Sequence, residues 1–141
     1  DTRRASVFGT PGVDIDWRNQ NTFFLKTGEA KTYIGKYRGV NRIPLLKLSE
    51  MYLIAAEASG DKGYLQTLRD HRGYVNYPLE ENCDLAAEIE AEYRKEFMAE
   101  GQLFYYYKRL DYNTLPDMGV VMTGNYVFPM PDDEMEFGDI K

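Results

Sequence analysis

The chain has 141 residues and carries 23 acidic against 17 basic side chains, which gives a formal net charge of −6. This length is typical of a single globular domain, and the negative charge argues against a nucleic-acid binder, which needs a basic surface. The single cysteine excludes an internal disulfide, and the single histidine argues against a histidine-based metal centre or catalytic site. We expect no metal ion and no cofactor, and we put forward no residue as catalytic.

Residues 1–42 are predicted to form loops and one short β-hairpin. Gly, Pro, Asp and Asn recur too often in the first half of this region for a helix to form. Aromatic and β-branched residues at 22–25 and 32–34 then flank a turn at 27–30. This pattern is typical of two antiparallel strands joined by a short connection.

Residues 43–110 are predicted to be helical. Pro44 suits the first turn of a helix over 44–58, where its missing N–H is tolerated. A second helix over 64–72 is predicted to end at Gly73. The wide apolar surface of the first helix and the alanines near its end favour close packing of the two helices. This arrangement predicts a helical hairpin of the tetratricopeptide type.

A third and longer helix is predicted from residue 85 to residue 110, with Asp84 as its N-cap. It places Glu92, Glu96 and Glu100 on one line, and like charges at this spacing repel each other. The spacing therefore favours an ion-pair network with cations from the same helix or from outside it. Six candidate cations are available: Arg94, Lys95, Lys108, Arg42, Arg69 and Arg72. A carboxylate pair for acid–base catalysis is the alternative interpretation.

Several blocks of the chain, in a fixed order, resemble the RagB/SusD family of outer-membrane nutrient-binding lipoproteins of Bacteroidetes. The 44–58 segment, PLLKLSEMYLIAAEA, resembles the family's signature helix, and EYRKEFMAEGQLFYYYKR at 92–109 is similar to its Arg/Lys-Glu-Phe-x-x-Glu-Gly block. The 126–134 segment looks like the closing Phe-Pro-x-Pro-x-x-Glu stretch. Shorter matches are Asp1-Thr2-Arg3, Lys36-Tyr37, Leu68-Arg69 and Arg72-Gly73.

The resemblance implies a mainly α fold with tetratricopeptide-like helical hairpins, irregular loops and a short β-hairpin. The chain is expected to be a single domain over 1–141, divided into a loop and hairpin region at 1–42, helices at 43–110 and an irregular segment at 111–141. The implied function is cell-surface binding of oligosaccharide or polysaccharide nutrients for delivery to a SusC-like TonB-dependent transporter, without enzymatic activity. A protein-interaction scaffold that docks to the transporter and has no sugar site of its own is the alternative.

The match covers only the C-terminal portion of the family's fold, so we expect the chain to be a fragment or one product of a processed precursor. No signal-peptide pattern opens the sequence, and Cys83 lies in acidic surroundings unlike those of a lipidated cysteine. The resemblance implies an outer-membrane, cell-surface location. Membrane association is expected only through a lipid anchor that this chain does not contain.

Six residues are candidates for sugar binding. Trp17 is the only tryptophan, and it lies in a predicted loop beside Asp16, Arg18 and Asn19. Sugar rings stack on aromatic side chains, while their hydroxyl groups need polar partners, and binding residues concentrate on loops. Tyr33 and Tyr37, in the hairpin and just after it, complete the candidate set. The alternative role for Trp17 is to pin its loop onto the helices.

Overall fold

The fold is taken from a computed structural model. It describes residues 4, 7–8, 15–19, 24–26, 32–116, 119–122, 124, 126–127, 130–132 and 136. The hairpin turn at 27–30, the opening residues 1–3 and the Phe-Pro pair at 128–129 lie outside the described residues. The described chain is mainly helical, which confirms the coarse fold class. Contacts divide the chain into two compact units, Asp1–Leu103 and Phe104–Lys141. The single domain over 1–141 stays a prediction.

The predicted β-hairpin is confirmed in the first unit. Strand β1 (Phe24–Lys26) pairs antiparallel with β2 (Thr32–Ile34), and Leu25 lies opposite Tyr33. Each strand has only three residues. A two-stranded sheet this short is marginal in water by itself.

Helix α1 (Leu48–Ser59) begins four residues later than predicted. Lys47 has an extended backbone (φ −118°, ψ 139°), so Pro44 lies in an irregular segment and not in the first helical turn. The helix ends where the sequence indicates, because Gly60 adopts the left-handed conformation (φ 70°) and its N–H donates to the carbonyl of Ala56.

Helix α2 (Lys62–Arg69) follows after two residues, and its N-cap Asp61 accepts a hydrogen bond from the N–H of Gly63. The α-helix ends at Arg69, three residues before the predicted end, and continues as a π-helical turn, Asp70–Tyr74. Gly73 lies inside this turn at φ 109°, a conformation that residues with a Cβ rarely adopt.

The single helix predicted over 85–110 is wrong. Helix α3 (Leu85–Glu96) begins at the predicted cap, since the Asp84 carboxylate accepts hydrogen bonds from the N–H groups of Ala86 and Ala87. The helix then stops, and a second helix, α4 (Gln102–Arg109), begins six residues later. Ala99 (φ 62°) and Gly101 (φ 77°) have left-handed backbones, which a continuous right-handed helix does not allow.

Helix α1 packs against both α2 and α3 in the first unit. The buried apolar side chains of these helices and of the residue after α3 are Leu53, Ala56, Leu65, Leu68, Ile89, Tyr93 and Phe97. The Tyr93 and Phe97 rings stack with their centroids 5.3 Å apart. This core fixes the C-terminal end of α3, where the polar site is built.

The second unit is rich in tyrosine. Tyr106 and Tyr107 are buried, whereas Tyr105 is exposed, in agreement with the spacing of three rings around one helix. The Tyr126 hydroxyl donates to the carbonyl of Tyr112 over 2.8 Å, and the Lys108 ammonium donates to the carbonyl of Tyr126 over 2.7 Å. These bonds attach the described part of the irregular segment 111–141 to helix α4 and the residues just after it.

Among the described residues, the helices are all too short or too polar to cross a membrane.

Candidate functional site

A cluster of charged side chains surrounds the C-terminal end of α3, and we call it the ion cluster. Four cations and four carboxylates form it: Arg18, Lys36, Lys47, Arg72, Asp16, Glu92, Glu96 and Glu100. These residues come from five separate segments of the first unit. The ion-pair network predicted for the three glutamates is therefore confirmed, and Arg72 is the cation that both the sequence and the structure identify.

Arg18 is at the centre of the ion cluster, with only 2% of its surface exposed. Its guanidinium forms two bonds to the Asp16 carboxylate, of 2.7 and 2.9 Å, and contacts Glu92 at 2.5 Å. Burial by itself lowers the pKa of Arg18. The hydrogen bond to Asp16 and the charges of Glu92 and Asp16 have the larger, opposite effect, so the pKa is raised overall. Arg18 is therefore a permanent buried cation that ties its loop to α3.

The Glu96 carboxylate accepts hydrogen bonds from Arg72, Ser49 and Arg18. Arg72 donates to it from Nε and Nη2, both over 3.1 Å, and the Ser49 hydroxyl donates over 2.9 Å. Arg18 Nη1 adds a bond of 3.0 Å. Burial raises the pKa of Glu96, but the hydrogen bonds and charge of Arg72, with the charges of Arg18 and Lys47, lower it to about 2. Glu96 is therefore ionised throughout the physiological pH range.

Two lysines bind at the C-terminal end of α3. The Lys36 and Lys47 ammonium groups both donate to the carbonyl of Glu96 and to the Glu100 carboxylate, with the Lys47–Glu100 distance at 2.8 Å. Cations at this end of a helix also oppose the negative pole of its dipole. Burial lowers the pKa of Lys36 to about 8 even though Glu100 raises it, and the neighbouring Lys47 lowers it further. The Tyr37 hydroxyl donates to Glu100 over 3.0 Å.

A cleft of about 280 Å³ opens above the ion cluster, and we call it the Trp17 cleft. Its lining residues are Trp17, Arg18, Lys36, Tyr37, Lys47, His71, Arg72 and Glu96. A second depression of about 400 Å³ adjoins it and shares Lys36 and Tyr37. The indole of Trp17 lines the first depression, and the phenol of Tyr37 lines both.

The indole of Trp17 is held against the π-helical turn while 55% of the residue's surface stays exposed. A Cβ placed on Gly73 would lie 2.3 Å from the carbonyl oxygen of Ile15 and 2.9 Å from Cδ1 and Nε1 of Trp17. Only a glycine lets the 15–19 segment approach this closely. Trp17 is thus fixed in place and accessible at the same time.

The structure brings some of the six candidate residues together in one place. Trp17 and Tyr37 line the Trp17 cleft, and Arg18 forms its floor. Asp16 and Asn19 are buried: Asp16 bonds to Arg18, and the backbone carbonyl of Asn19 accepts from Arg4 over 2.5 Å. Tyr33 is half-exposed on β2 and is not among the residues that line the cleft. Sugar binding by these residues stays a prediction.

Five lining residues were missing from the candidate set: Lys36, Lys47, His71, Arg72 and Glu96. The sequence offered a signal for three of them, because Glu96 and Arg72 were part of the predicted ion-pair network and Lys36 precedes Tyr37 in a family-like pair. Lys47 lay inside a predicted helix and His71 beside a helix end, and neither position indicates a cleft. Arg18 ties the 15–19 segment to α3, while the Trp17 indole lies against the π-helical turn, so both the sugar-binding and the loop-pinning roles of Trp17 stay predictions.

Comparisons of the chain with family models, curated proteins and solved structures gave no match.

The ionised state of Glu96 predicts how the fold responds to acid. Because the pKa of Glu96 is about 2 in the folded chain and 4.5 is its ordinary value, folding favours the ionised form. The resulting stability is fully present above pH 4.5 and is lost as the pH falls towards 2. The difference corresponds to about 3 kcal/mol. Urea unfolding at a series of pH values measures it, with Glu96→Gln as the control. Equal pH dependence of both proteins in this window would contradict the assignment.

Proposed function

We propose that this chain is the C-terminal portion of a RagB/SusD-like protein that binds oligosaccharides at the cell surface and delivers them to a SusC-like TonB-dependent transporter. The Trp17 cleft is the proposed sugar site. The observation that carries the proposal is the fixed, half-exposed indole of Trp17 beside the Tyr37 ring, above a floor of polar groups. The full-length protein would be attached to the outer membrane by a lipid anchor that lies outside this chain.

The chemistry of the cleft suits a sugar. A pyranose ring has flat C–H faces that stack on an indole, and its hydroxyl groups both donate and accept hydrogen bonds. Arg72 and Lys47 line the cleft and offer donors to these hydroxyl groups. Sites of this kind are concave and aromatic, with a few fixed polar groups. Since the ion cluster already orders these side chains, binding a sugar costs less conformational entropy.

The helical arrangement is compatible with the proposed family. Helices α1 and α2 are joined by only Gly60 and Asp61 and pack against each other. Short connections of this kind produce helical hairpins, which supports the proposal of a tetratricopeptide-like fold. The 44–58 segment that resembles the family's signature helix includes most of α1.

Titration with oligosaccharides tests the sugar site directly. We expect a saturable change in the fluorescence of Trp17, the only tryptophan, with one class among α-glucans, mannans and host glycans. Replacing Trp17 by Ala removes the stacking surface, so calorimetry should show an affinity at least about tenfold lower for that sugar. Tyr105→Ala, which removes an exposed ring of the second unit, is the control. A folded protein whose Trp17→Ala variant binds as tightly as the parent chain would contradict the proposal.

A docking scaffold without a sugar site is the second candidate function. It is favoured by the large apolar side chains exposed around the start of α1: Ile43, Leu45, Leu46 and Leu48. Isolated surface leucines are common, but an adjacent group of them is typical of contact surfaces. Two results together would favour this function. The fluorescence of Trp17 would not change with any sugar of the panel, and the chain would bind a purified SusC-like transporter unless Leu46 is replaced by Asp.

A further inference from the structure

A groove of about 690 Å³ lies between the end of α2 and the start of α3, and we call it the Tyr77 groove. One wall is the loop that joins the π-helical turn to α3, and the other includes Arg69 and the first turns of α3. The loop is held in place, since the Leu79 N–H donates to the side chain of Gln66 over 2.7 Å. Lys62 also donates to the carbonyls of Glu80 and Glu81. The groove is therefore preformed.

The Tyr77 groove presents an aromatic ring and two amides to solvent. Tyr77 is 53% exposed, and Asn76 and Asn82 are exposed on the same loop. Within the described part of the chain, neither asparagine side chain makes a hydrogen bond. Each amide therefore keeps both donors and an acceptor available.

The charges around the Tyr77 groove are mostly compensated. Arg69 donates to Glu88 over 2.6 Å, and the Asp84 carboxylate caps α3. Among the described residues, Glu80 is the carboxylate that lines the groove without forming an ion pair or a helix cap. Arg69 Nε is buried and has no acceptor among the described residues. The groove thus offers hydrogen-bonding groups of both kinds beside a ring, and not a concentrated charge. This combination suits a ligand that is rich in hydroxyl groups.

We propose that the Tyr77 groove is a second binding site for a neutral saccharide, built from residues other than those of the Trp17 cleft. The inference rests on the proposed function, because it takes the chain to be a glycan binder. Tyr77 supplies the stacking face, and the amides of Asn76 and Asn82 bond to sugar hydroxyl groups. The groove volume is within the range typical of small-ligand sites. With two sites, one protein chain would hold a long glycan at two points. The second binding event would then be intramolecular, which increases the overall affinity.

The chain carries a separate reporter for each site. Cys83, the only cysteine, lines the Tyr77 groove and is partly exposed, while Trp17 lines the other cleft. We would measure the rate of Cys83 alkylation by iodoacetamide, by mass spectrometry, with maltohexaose, mannohexaose or no sugar, and follow Trp17 fluorescence in the same samples. Since only the unoccupied groove reacts, the rate should fall about tenfold when the free sugar is about ten times its Kd.

Matched variants assign any protection of Cys83 to the groove. Tyr77→Ala and Asn76→Ala should abolish the protection and leave the Trp17 response intact. Trp17→Ala should leave the protection intact. Protection of Cys83 that persists in Tyr77→Ala would overturn the inference, because the sugar would then act from elsewhere.

The two readouts distinguish failure of the Tyr77 groove from failure of the proposed sugar site in the Trp17 cleft. A saturable Trp17 response with an unchanged alkylation rate for both sugars overturns the Tyr77 groove and leaves the Trp17 cleft supported. Protection of Cys83 without a Trp17 response supports the groove and removes the cleft from the sugar-binding surface. No response of either reporter to either sugar overturns both sites.

Discussion

Replacing Arg18 by Met is expected to lower the free energy of unfolding by about 3–5 kcal/mol, the range typical when one partner of a buried ion pair is removed. Asp16 and Glu92 are both almost completely buried, and the Arg18 guanidinium contacts each of them. Without it, both carboxylates lose a buried cation, and buried charge with less compensation opposes folding.

Arg42→Met is the matched control for this prediction, because it removes the same charge from an exposed position. Surface changes of this kind usually alter stability by no more than about 0.5 kcal/mol. Urea unfolding of the two variants and the parent chain, followed by circular dichroism, gives the comparison. An Arg18→Met variant as stable as Arg42→Met would show that the ion cluster contributes nothing to the fold.

Replacing Gly73 by Ala is expected to destabilise the chain by about 3 kcal/mol and to displace Trp17. Two effects combine at this position. The backbone has φ 109°, which a residue with a Cβ adopts only with strain, and the added Cβ would lie 2.3 Å from the carbonyl oxygen of Ile15. Backbone atoms cannot move aside as the end of a flexible side chain can, so the 15–19 segment must shift. We expect altered Trp17 fluorescence together with the loss of stability, and weaker binding at the proposed sugar site.

Gly60→Ala separates the two effects. Gly60 also has a positive φ, of 70°, but a Cβ there would meet nothing within 4 Å. This variant therefore carries the backbone strain alone, about 1–2 kcal/mol, and should keep the Trp17 fluorescence of the parent chain. If Gly73→Ala and Gly60→Ala behaved alike in both stability and fluorescence, the close approach of Trp17 to the π-helical turn would be refuted.

Local sequence signals predicted the helices well and their interruptions poorly. Asp84 and Gly60 mark helix ends through their own chemistry, a carboxylate cap and a left-handed backbone, and both predictions are confirmed. The break between α3 and α4 depends on Ala99, which has high helix propensity but a φ of 62°. Its conformation is imposed by the surrounding tertiary structure, which no local pattern reveals.

The site was predicted in outline only. Three glutamates on one line indicated an ion-pair network, and Arg72 was among the six cations proposed for it, but Arg18, Lys36 and Lys47 were not. The choice depends on which loop folds over α3, and Arg18 reaches it from a segment that shows no helical or strand pattern. The burial that brings Arg18 against Glu92 also removes its charge from the surface, so this candidate sugar-binding residue forms the floor of the Trp17 cleft.

The long sequence separation within the ion cluster has a consequence for the order of folding. Arg18 and Glu96 are 78 positions apart, whereas α1 and α2 are separated by only two residues. Closing a long loop costs more chain entropy than closing a short one, and contacts between distant residues form slowly. The helical hairpin can therefore form before the 15–19 segment docks. The Trp17 cleft then forms only when the 15–19 segment docks, and a local opening that releases this segment would dismantle the cleft while the helices stay folded.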